Sequence, residues 1–327
     1  MSSQLARSGS SQPVLDAAGV EVMRLMARVE RRMMELAAGH GAALERHARS
    51  TIAAGGKRLR PLLVCVAAGV PAPESEALVQ CAAAVELLHA ATLVHDDVLD
   101  GSSLRRGRPT VVAAGGRLAA TATGDLLFSR AFAALAATRE VEAVRILARA
   151  GAELAAGELM QRADAFDADV AVERYLERCR LKTAVLFRAA CELGALHGGG
   201  PSGRLGAFGE SIGLAFQLLD DVLDVSGPPE RTGKPRGADL LDGTVTLPLI
   251  LARRRDPELA ALDPRAIASA AQAHAVCERI AATGALQSAR GLALTFVDRA
   301  KAQVPQLPAR QRAVLELIAD GVLERYS

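Results

Sequence analysis

Two aspartate-rich pentapeptides are the part of the sequence best suited to chemistry. DDVLD occurs twice, 124 residues apart, each time after an apolar stretch. In a helix, residues four apart lie on one face, so Asp96 and Asp100 project together, as do Asp220 and Asp224. Because the carboxylates repel one another, such a face requires an outside cation. Oxygen ligands with no His or Cys among them are typical of Mg²⁺, which binds one or two carboxylates together with substrate phosphates. One cluster alone would be equally consistent with a solvated helix face, but the repetition favours a magnesium site.

The elements that carry these acids are predicted to be helices. Half of the 327 residues are apolar, aromatic residues are only 3% of the chain, and there is no Trp. Ala and Leu are strong helix formers, so this composition favours an all-α fold. We expect a flexible, polar tail at 1–13 and a single all-helical domain over 14–327.

Breaks in the apolar periodicity divide this domain into helices. Helical periodicity runs from about 14 to 50, and Gly- or Pro-rich loops follow at AAGGKRLRP, at GVPAPES and at 101–110. The loop at 226–237 combines the strongest breaker residues, and we predict a mobile lid there. Further helices are expected at 124–138, 140–162, 171–197, 202–224, 240–254, 264–284, 286–303 and 308–325.

Charge, cysteine content and hydropathy exclude several classes of protein. The net charge is +2 and no basic tract is interleaved with aromatic residues, so no nucleic-acid partner is expected. The five cysteines are scattered and form no CxxC pair, which is typical of reduced core residues. No uncharged apolar run reaches the roughly 18 residues that span a bilayer, and the N-terminus lacks an apolar signal core. We therefore expect a cytoplasmic protein with no transmembrane segment.

A series of motifs between about residues 50 and 250 is more specific than DDVLD alone. They are GGKRLRP, HAATLVHDDVLDGSSLRRGRPT, GD at 124–125, GELMQ, LKTAVLF, FQLLDDVLD and TGKPRGADLLDGTVTLPLI. In this combination and order the chain resembles the trans-isoprenyl diphosphate synthases, the polyprenyl synthetase family. The resemblance implies an isoprenoid synthase-like helical bundle around a central active-site cavity, homodimerisation, and condensation of isopentenyl diphosphate with an allylic diphosphate.

The resemblance also implies how the allylic diphosphate is bound. Mg²⁺, three ions per active site with substrate bound, would stabilise the leaving diphosphate, and Mn²⁺ is an alternative. Arg105, Lys182 and Lys234 match contacts to the allylic diphosphate, and Thr183 and Gln217 match positions near the developing carbocation. The metal ligands implied are Asp96, Asp97, Asp100, Asp220, Asp221 and Asp224.

The second substrate must keep its diphosphate, which suits a site made of fixed cations without metal. The resemblance places Lys57, Arg60, His89 and Arg106 in this site, with Gly56 allowing close approach of the backbone. The released diphosphate would remove the proton after condensation. No Ser/His/Asp or Cys/His arrangement is then required, and none is found in the sequence.

One stretch departs from the family pattern. In DLLDGTVTLP, Thr244 stands where the family commonly has a lysine, and Asp242 stands where a glutamate is usual. A missing cation could weaken allylic diphosphate binding. Lys234 and Arg236 are candidates to compensate.

The residues before the first motif bear on product length. Ala91 and Thr92 lie about one turn before Asp96, where family members with short products commonly carry bulky aromatic residues. Each helical turn of about 5.4 Å is close to one isoprene unit. We expect a product of C30 or longer; Leu88 could instead stop the chain at C20, geranylgeranyl diphosphate. The alternative is that these small residues only permit close helix packing.

Two other functions fit some of the same motifs. A terpene cyclase also ionises allylic diphosphates, but it usually lines its site with aromatic faces, and this chain has seven Phe, two Tyr and no Trp. A partner-dependent or non-catalytic subunit of a prenyl synthase is the other alternative. For the predicted synthase, release of the product close to a membrane is compatible with the sequence.

Overall fold

The structure is a computed structural model that describes residues 12–69, 75–105, 107–227 and 236–324. Within these residues the regular secondary structure is helical, apart from one two-stranded hairpin. The prediction of an all-α fold is confirmed.

The helices are as follows in chain order. The first ten are α1 (Gln12–Ala18), α2 (Val20–Leu36), α3 (Ala42–Ala53), α4 (Leu59–Ala67), α5 (Glu76–Asp100), α6 (Val111–Ala137), α7 (Val141–Ala163), α8 (Val172–Cys179), α9 (Val185–Gly198) and α10 (Ser202–Ser226). The remainder are α11 (Ala238–Leu241), α12 (Leu247–Arg253), α13 (Pro257–Ala261), α14 (Ala270–Ala282), α15 (Ala285–Gln303) and α16 (Ala309–Glu324). A π-helix, Arg180–Ala184, joins α8 to α9, and the hairpin pairs β1 (Leu104–Arg105) with β2 (Arg108–Pro109).

Helix α5 is the core helix that ends in the first aspartate motif. Ser75 caps it by accepting a hydrogen bond from the Leu78 amide, and most of its apolar side chains are buried. Among the described residues it alone is long and apolar enough to cross a membrane, but 72% of its most apolar window is buried within the protein. A core helix of a soluble protein passes the same test, so this is weak evidence for a span.

The contacts divide the chain into two compact units, each made of three separate segments of the sequence. The first contains residues 1–151, 186–209 and 303–321, and the second contains 152–185, 210–302 and 322–327. The first DDVLD motif therefore belongs to the first unit, and the second motif to the second. The expectation of a single domain stays a prediction.

Some predicted boundaries were wrong. The helix expected from 124 starts at Val111, because Thr110 caps it and accepts a hydrogen bond from the Ala113 amide. The helix expected over 240–254 is broken at Thr244–Thr246, after Gly243 with φ of 75°. The helix expected from 264 begins at Ala270, after a short 3₁₀ turn. Most of the predicted lid at 226–237 lies outside the described residues.

Candidate active site

The first aspartate motif forms the last turn of α5. Asp97 is buried, at 4% exposure, whereas Asp96 is half-buried and Asp100 is exposed. The Arg105 guanidinium, on β1, donates from Nε and Nη2 to Oδ1 of Asp97, at 2.9 and 2.8 Å. The middle aspartate is thus held by an arginine of the following hairpin, while Asp96 and Asp100 share the more exposed face of the turn.

A second contact fixes the same turn from α6. Nε2 of His95 lies 3.3 Å from Oδ1 of Asp125. A methyl group at Gly124 would lie only 2.2 Å from that nitrogen, so any larger residue there would displace the ring. The GD motif therefore supports the residue directly before Asp96. Nothing in the sequence placed His95 among the substrate ligands, and the contact with Asp125 is a structural one.

A cavity in the first unit brings three of the predicted site residues together. His89, Asp97 and Arg105 line it, together with Arg58 and Arg108, which were not predicted. Two of its three arginines are paired with acids, Arg105 with Asp97 and Arg58 with Glu86.

The GGKRLRP motif begins in the loop between α3 and α4 and ends in the first turn of α4. Gly56 and Lys57 are exposed, and their role in binding a ligand stays a prediction. The Arg60 guanidinium lies over the Phe187 ring, 4.5 Å from its centroid, in a cation–π contact that fixes the side chain.

The second aspartate motif, near the end of α10, repeats the arrangement of the first. Asp221 is buried at 3% exposure, Asp220 is exposed and Asp224 is half-buried. The Tyr175 hydroxyl donates to Oδ2 of Asp221 at 2.6 Å, and Gln217 Nε2 donates to Oδ1 at 2.7 Å. In both motifs, then, the middle carboxylate is held by protein donors.

The surroundings of Asp221 and Tyr175 determine which of these two buried groups carries a proton. Burial, with a smaller contribution from Asp239, raises the pKa of Asp221, while the hydrogen bonds from Tyr175 and Gln217 oppose the rise. Burial likewise raises the pKa of Tyr175 well above its usual value, so the phenol keeps its proton and acts as the donor. A cation near this carboxylate would favour its charged form.

Hydrogen bonds extend from Asp221 to the LKTAVLF motif. The Thr183 hydroxyl donates to Oε1 of Gln217 at 2.7 Å. Thr183 and Lys182 lie in the π-helix between α8 and α9, a local irregularity that often marks functional sites. The structure thus joins Tyr175, Asp221, Gln217 and Thr183 in one hydrogen-bonded chain.

Lys182 is paired with the GELMQ motif of α7. Its Nζ lies 2.5 Å from Oε2 of Glu158. Burial alone would raise the pKa of Glu158, but Lys182 and Arg162 outweigh it and lower that pKa, so the carboxylate is charged at neutral pH. A methyl group at Gly157 would lie 2.7 Å from the Lys182 backbone nitrogen. Glycine therefore allows α7 to approach the π-helix closely enough for this pair to form.

The structure shows what surrounds Thr244, which stands where the family commonly has a lysine, and Arg236, which was a candidate to compensate. Thr244 is half-buried, and its amide donates to the Asp239 carbonyl in the break before α12. The Arg236 guanidinium donates to the Val225 carbonyl and pairs with Glu278. Arg236 therefore satisfies a carbonyl in the last turn of α10. Arg106 and Lys234, two further predicted ligands, lie outside the described residues.

The predicted chain-length residues lie on α5. Ala91 and Leu88 have no exposed surface, and the Thr92 hydroxyl donates to the His89 carbonyl at 2.8 Å. The small Ala91 side chain is therefore enclosed by neighbouring atoms, and its role in product length stays a prediction.

The acids suit a divalent cation. Within the described ranges, no three Asp, Glu, His or Cys side chains are already gathered into a metal site. Mg²⁺ does not need a closed protein cage, because it retains waters and takes substrate phosphates as ligands. The pairs Asp96 with Asp100 and Asp220 with Asp224 offer the carboxylate oxygens that it prefers.

An all-helical chain with two aspartate-rich helix ends, the first of them paired with Arg105, has the features of an enzyme that handles diphosphate esters. The polyprenyl synthetase family model matches residues 42–283. The chain belongs to this family of prenyltransferases, which generally depend on divalent metal.

Individual relatives agree. Heptaprenyl diphosphate synthase component 2 of Geobacillus stearothermophilus is 40% identical over 264 residues, 79% of this chain and 82% of the relative. Octaprenyl diphosphate synthase of Escherichia coli is 37% identical over the same shares. A polyprenyl synthase from Caulobacter crescentus, solved with calcium and isoprenyl diphosphate, has a TM-score of 0.88 at 40% identity, covering 94% of this chain and 98% of that one.

Proposed function

We propose that this chain condenses isopentenyl diphosphate head-to-tail with an allylic diphosphate and releases a trans-polyprenyl diphosphate of C30 or longer. The observation that carries the proposal is the pair of DDVLD helix ends, in each of which protein donors hold the middle carboxylate. Family membership supports it, as do the names of the heptaprenyl and octaprenyl relatives.

In this proposal the two motifs serve the allylic diphosphate. Mg²⁺, when bound, neutralises the departing diphosphate, and three ions per site are expected, with Mn²⁺ as a substitute. Arg105 and Tyr175 hold the middle carboxylates, and the outer carboxylates would hold the metal. Lys182 and Arg105 contact the diphosphate, as does Lys234. The outer ligands are Asp96, Asp100, Asp220 and Asp224.

The chain's polar oxygens stabilise the carbocation that ionisation leaves behind. The Thr183 hydroxyl and the Gln217 side-chain amide oxygen carry the partial negative charge that such a cation attracts. Their mutual hydrogen bond of 2.7 Å fixes both before substrate arrives.

Isopentenyl diphosphate is proposed to bind to cations of the first unit. Lys57, Arg60, His89 and Arg106 hold its diphosphate, and Gly56 lets the backbone approach. Because this site uses no metal, the second substrate keeps its diphosphate while its double bond attacks the cation. The released diphosphate accepts the proton.

The length of the product is proposed to depend on α5. Ala91 puts no bulky side chain in the first turn before the motif, and Leu88 is the next bulky residue one turn further. Geranylgeranyl diphosphate is the product if Leu88 closes this path.

A second candidate function is that of a subunit that needs a partner. The Geobacillus stearothermophilus relative is named component 2, which favours this alternative over a terpene cyclase. We propose instead that the chain needs no second kind of subunit, because both motifs and the predicted cations are present in one sequence. We also propose that it acts as a homodimer in the cytoplasm.

Asp96→Asn tests the proposed chemistry. With Mg²⁺ and both substrates, we expect the variant to lose at least about a hundredfold in kcat/KM, the range typical of charge stabilisation in a transition state. Asp169→Asn, at an exposed position outside both motifs, is the matched control. Full magnesium-dependent turnover by Asp96→Asn would contradict the proposal.

A further inference from the structure

Arg58 occupies an unusual place in the loop that precedes α4. It directly follows Lys57, and its backbone is left-handed, with φ of 47° and ψ of 35°. Residues other than glycine seldom adopt this conformation, so surrounding contacts must maintain it. Its side chain is only 11% exposed, in contrast to the exposed Lys57.

The Arg58 guanidinium connects the loop between α3 and α4 to three helices by hydrogen bonds. Nε donates to Oε1 of Glu30 on α2 at 2.6 Å, and Nη1 donates to Oε1 of Glu86 on α5 at 3.0 Å. Nη2 donates to the Ile52 carbonyl, in the last turn of α3, at 2.8 Å and to Oε2 of Glu30 at 3.3 Å. A planar fork is needed to reach these acceptors together, and a lysine has no such geometry.

The charge of Arg58 is already matched by protein groups. Burial by itself would lower the pKa of Arg58, but Glu86 and Glu30 raise it, so the guanidinium is charged. Two carboxylates face this single cation. Arg58 lines the same cavity as His89 and Arg105, yet its positive charge is neutralised within the protein.

We propose that Arg58 is a positioning residue: by tying the loop to Glu30 and Glu86 it fixes Gly56 and Lys57 for the diphosphate of isopentenyl diphosphate without touching that substrate. The inference rests on the proposed function and adds a residue to it. It predicts a selective effect on one of the two substrates, whereas a purely structural residue would weaken both.

Arg58→Lys keeps the charge and removes the fork. We expect its KM for isopentenyl diphosphate to rise about tenfold, since small misplacements of binding groups have effects of this size. The KM for the allylic substrate should stay at the wild-type value. Titration calorimetry with isopentenyl diphosphate in EDTA should show the same weakening without turnover, because the proposed site uses no metal.

Two further variants complete the experiment. Glu30→Gln removes one acceptor from a side chain that is 31% exposed, and should weaken isopentenyl diphosphate binding in the same direction but less. Glu76→Gln is the matched control, because the Arg28–Glu76 pair, at 2.9 Å, also joins α2 to α5 but does not reach the loop. It should bind isopentenyl diphosphate like the wild type.

The outcomes separate this inference from the proposed function. If the wild-type chain neither binds isopentenyl diphosphate nor condenses it with any primer, the proposed function itself fails. If the wild type is active and Arg58→Lys binds isopentenyl diphosphate within about twofold of it, the positioning role is wrong. An equal loss for both substrates also overturns it. If Arg58→Lys does not fold, Glu30→Gln decides by the same criteria.

Discussion

Replacing Tyr175 with Phe removes a single hydroxyl from the buried side of the second aspartate motif. That hydroxyl donates to Asp221 over 2.6 Å, with Tyr175 fully buried and Asp221 3% exposed. With bound Mg²⁺ favouring the charged form of Asp221, a buried hydrogen bond to that carboxylate contributes about 1.5–3 kcal/mol. Because the bond orients a carboxylate between two proposed metal ligands, we expect kcat/KM for the allylic substrate to fall about tenfold to a hundredfold.

The assay follows initial rates while Mg²⁺ is varied. Tyr175→Phe should need more Mg²⁺ for half-maximal rate, and its KM for isopentenyl diphosphate should not change. Ser226→Ala is a suitable control, since it removes a hydroxyl that donates to the Val222 carbonyl on the same helix without contact to Asp221. Wild-type magnesium dependence and turnover in a folded Tyr175→Phe variant would refute the role assigned to this hydrogen bond.

Three further predictions concern close packing, the thiols and the product. Gly157→Ala should lower the melting temperature and kcat/KM together, because the new methyl group would lie 2.7 Å from the Lys182 backbone nitrogen; a fully active and stable variant would contradict this. None of the five cysteines should react quickly with Ellman's reagent until denaturant is added, because all five are buried and burial raises the pKa of Cys65 and Cys81 to about 12. A fast-reacting thiol in the folded chain would be inconsistent with it. Ala91→Phe should shorten the product, as seen by sizing the dephosphorylated lipids, and an unchanged distribution would refute the role of α5.

The helical fold was predictable because it depends on local and periodic properties. Abundant Ala and Leu favour helices, and apolar residues recur at helical spacing. The break at Thr244–Thr246 was missed although the Asp242–Gly243 dipeptide is a turn signal, and the Asp239–Thr244 contact that completes the break forms only in the folded chain. A helix start such as Val111 depends on one capping hydrogen bond, which periodicity does not report.

The site was predictable in its residue types but not in its division of roles. The motifs identified all six aspartates, yet only the structure shows that Asp97 and Asp221 are buried against protein donors. Arg105 was expected to contact substrate, and its pairing with Asp97 depends on the hairpin. Tyr175 lies 46 residues from its partner, so no local pattern could reveal the contact.

The most direct test of the central claim is to incubate the purified chain alone with Mg²⁺, labelled isopentenyl diphosphate and farnesyl diphosphate, and to size the dephosphorylated products. We predict products of six or more isoprene units, with no activity in EDTA. A stop at C20 would contradict the assigned length and identify Leu88 as the limit. No condensation with any allylic primer would contradict the claim that this chain is a complete synthase and would favour a partner-dependent subunit.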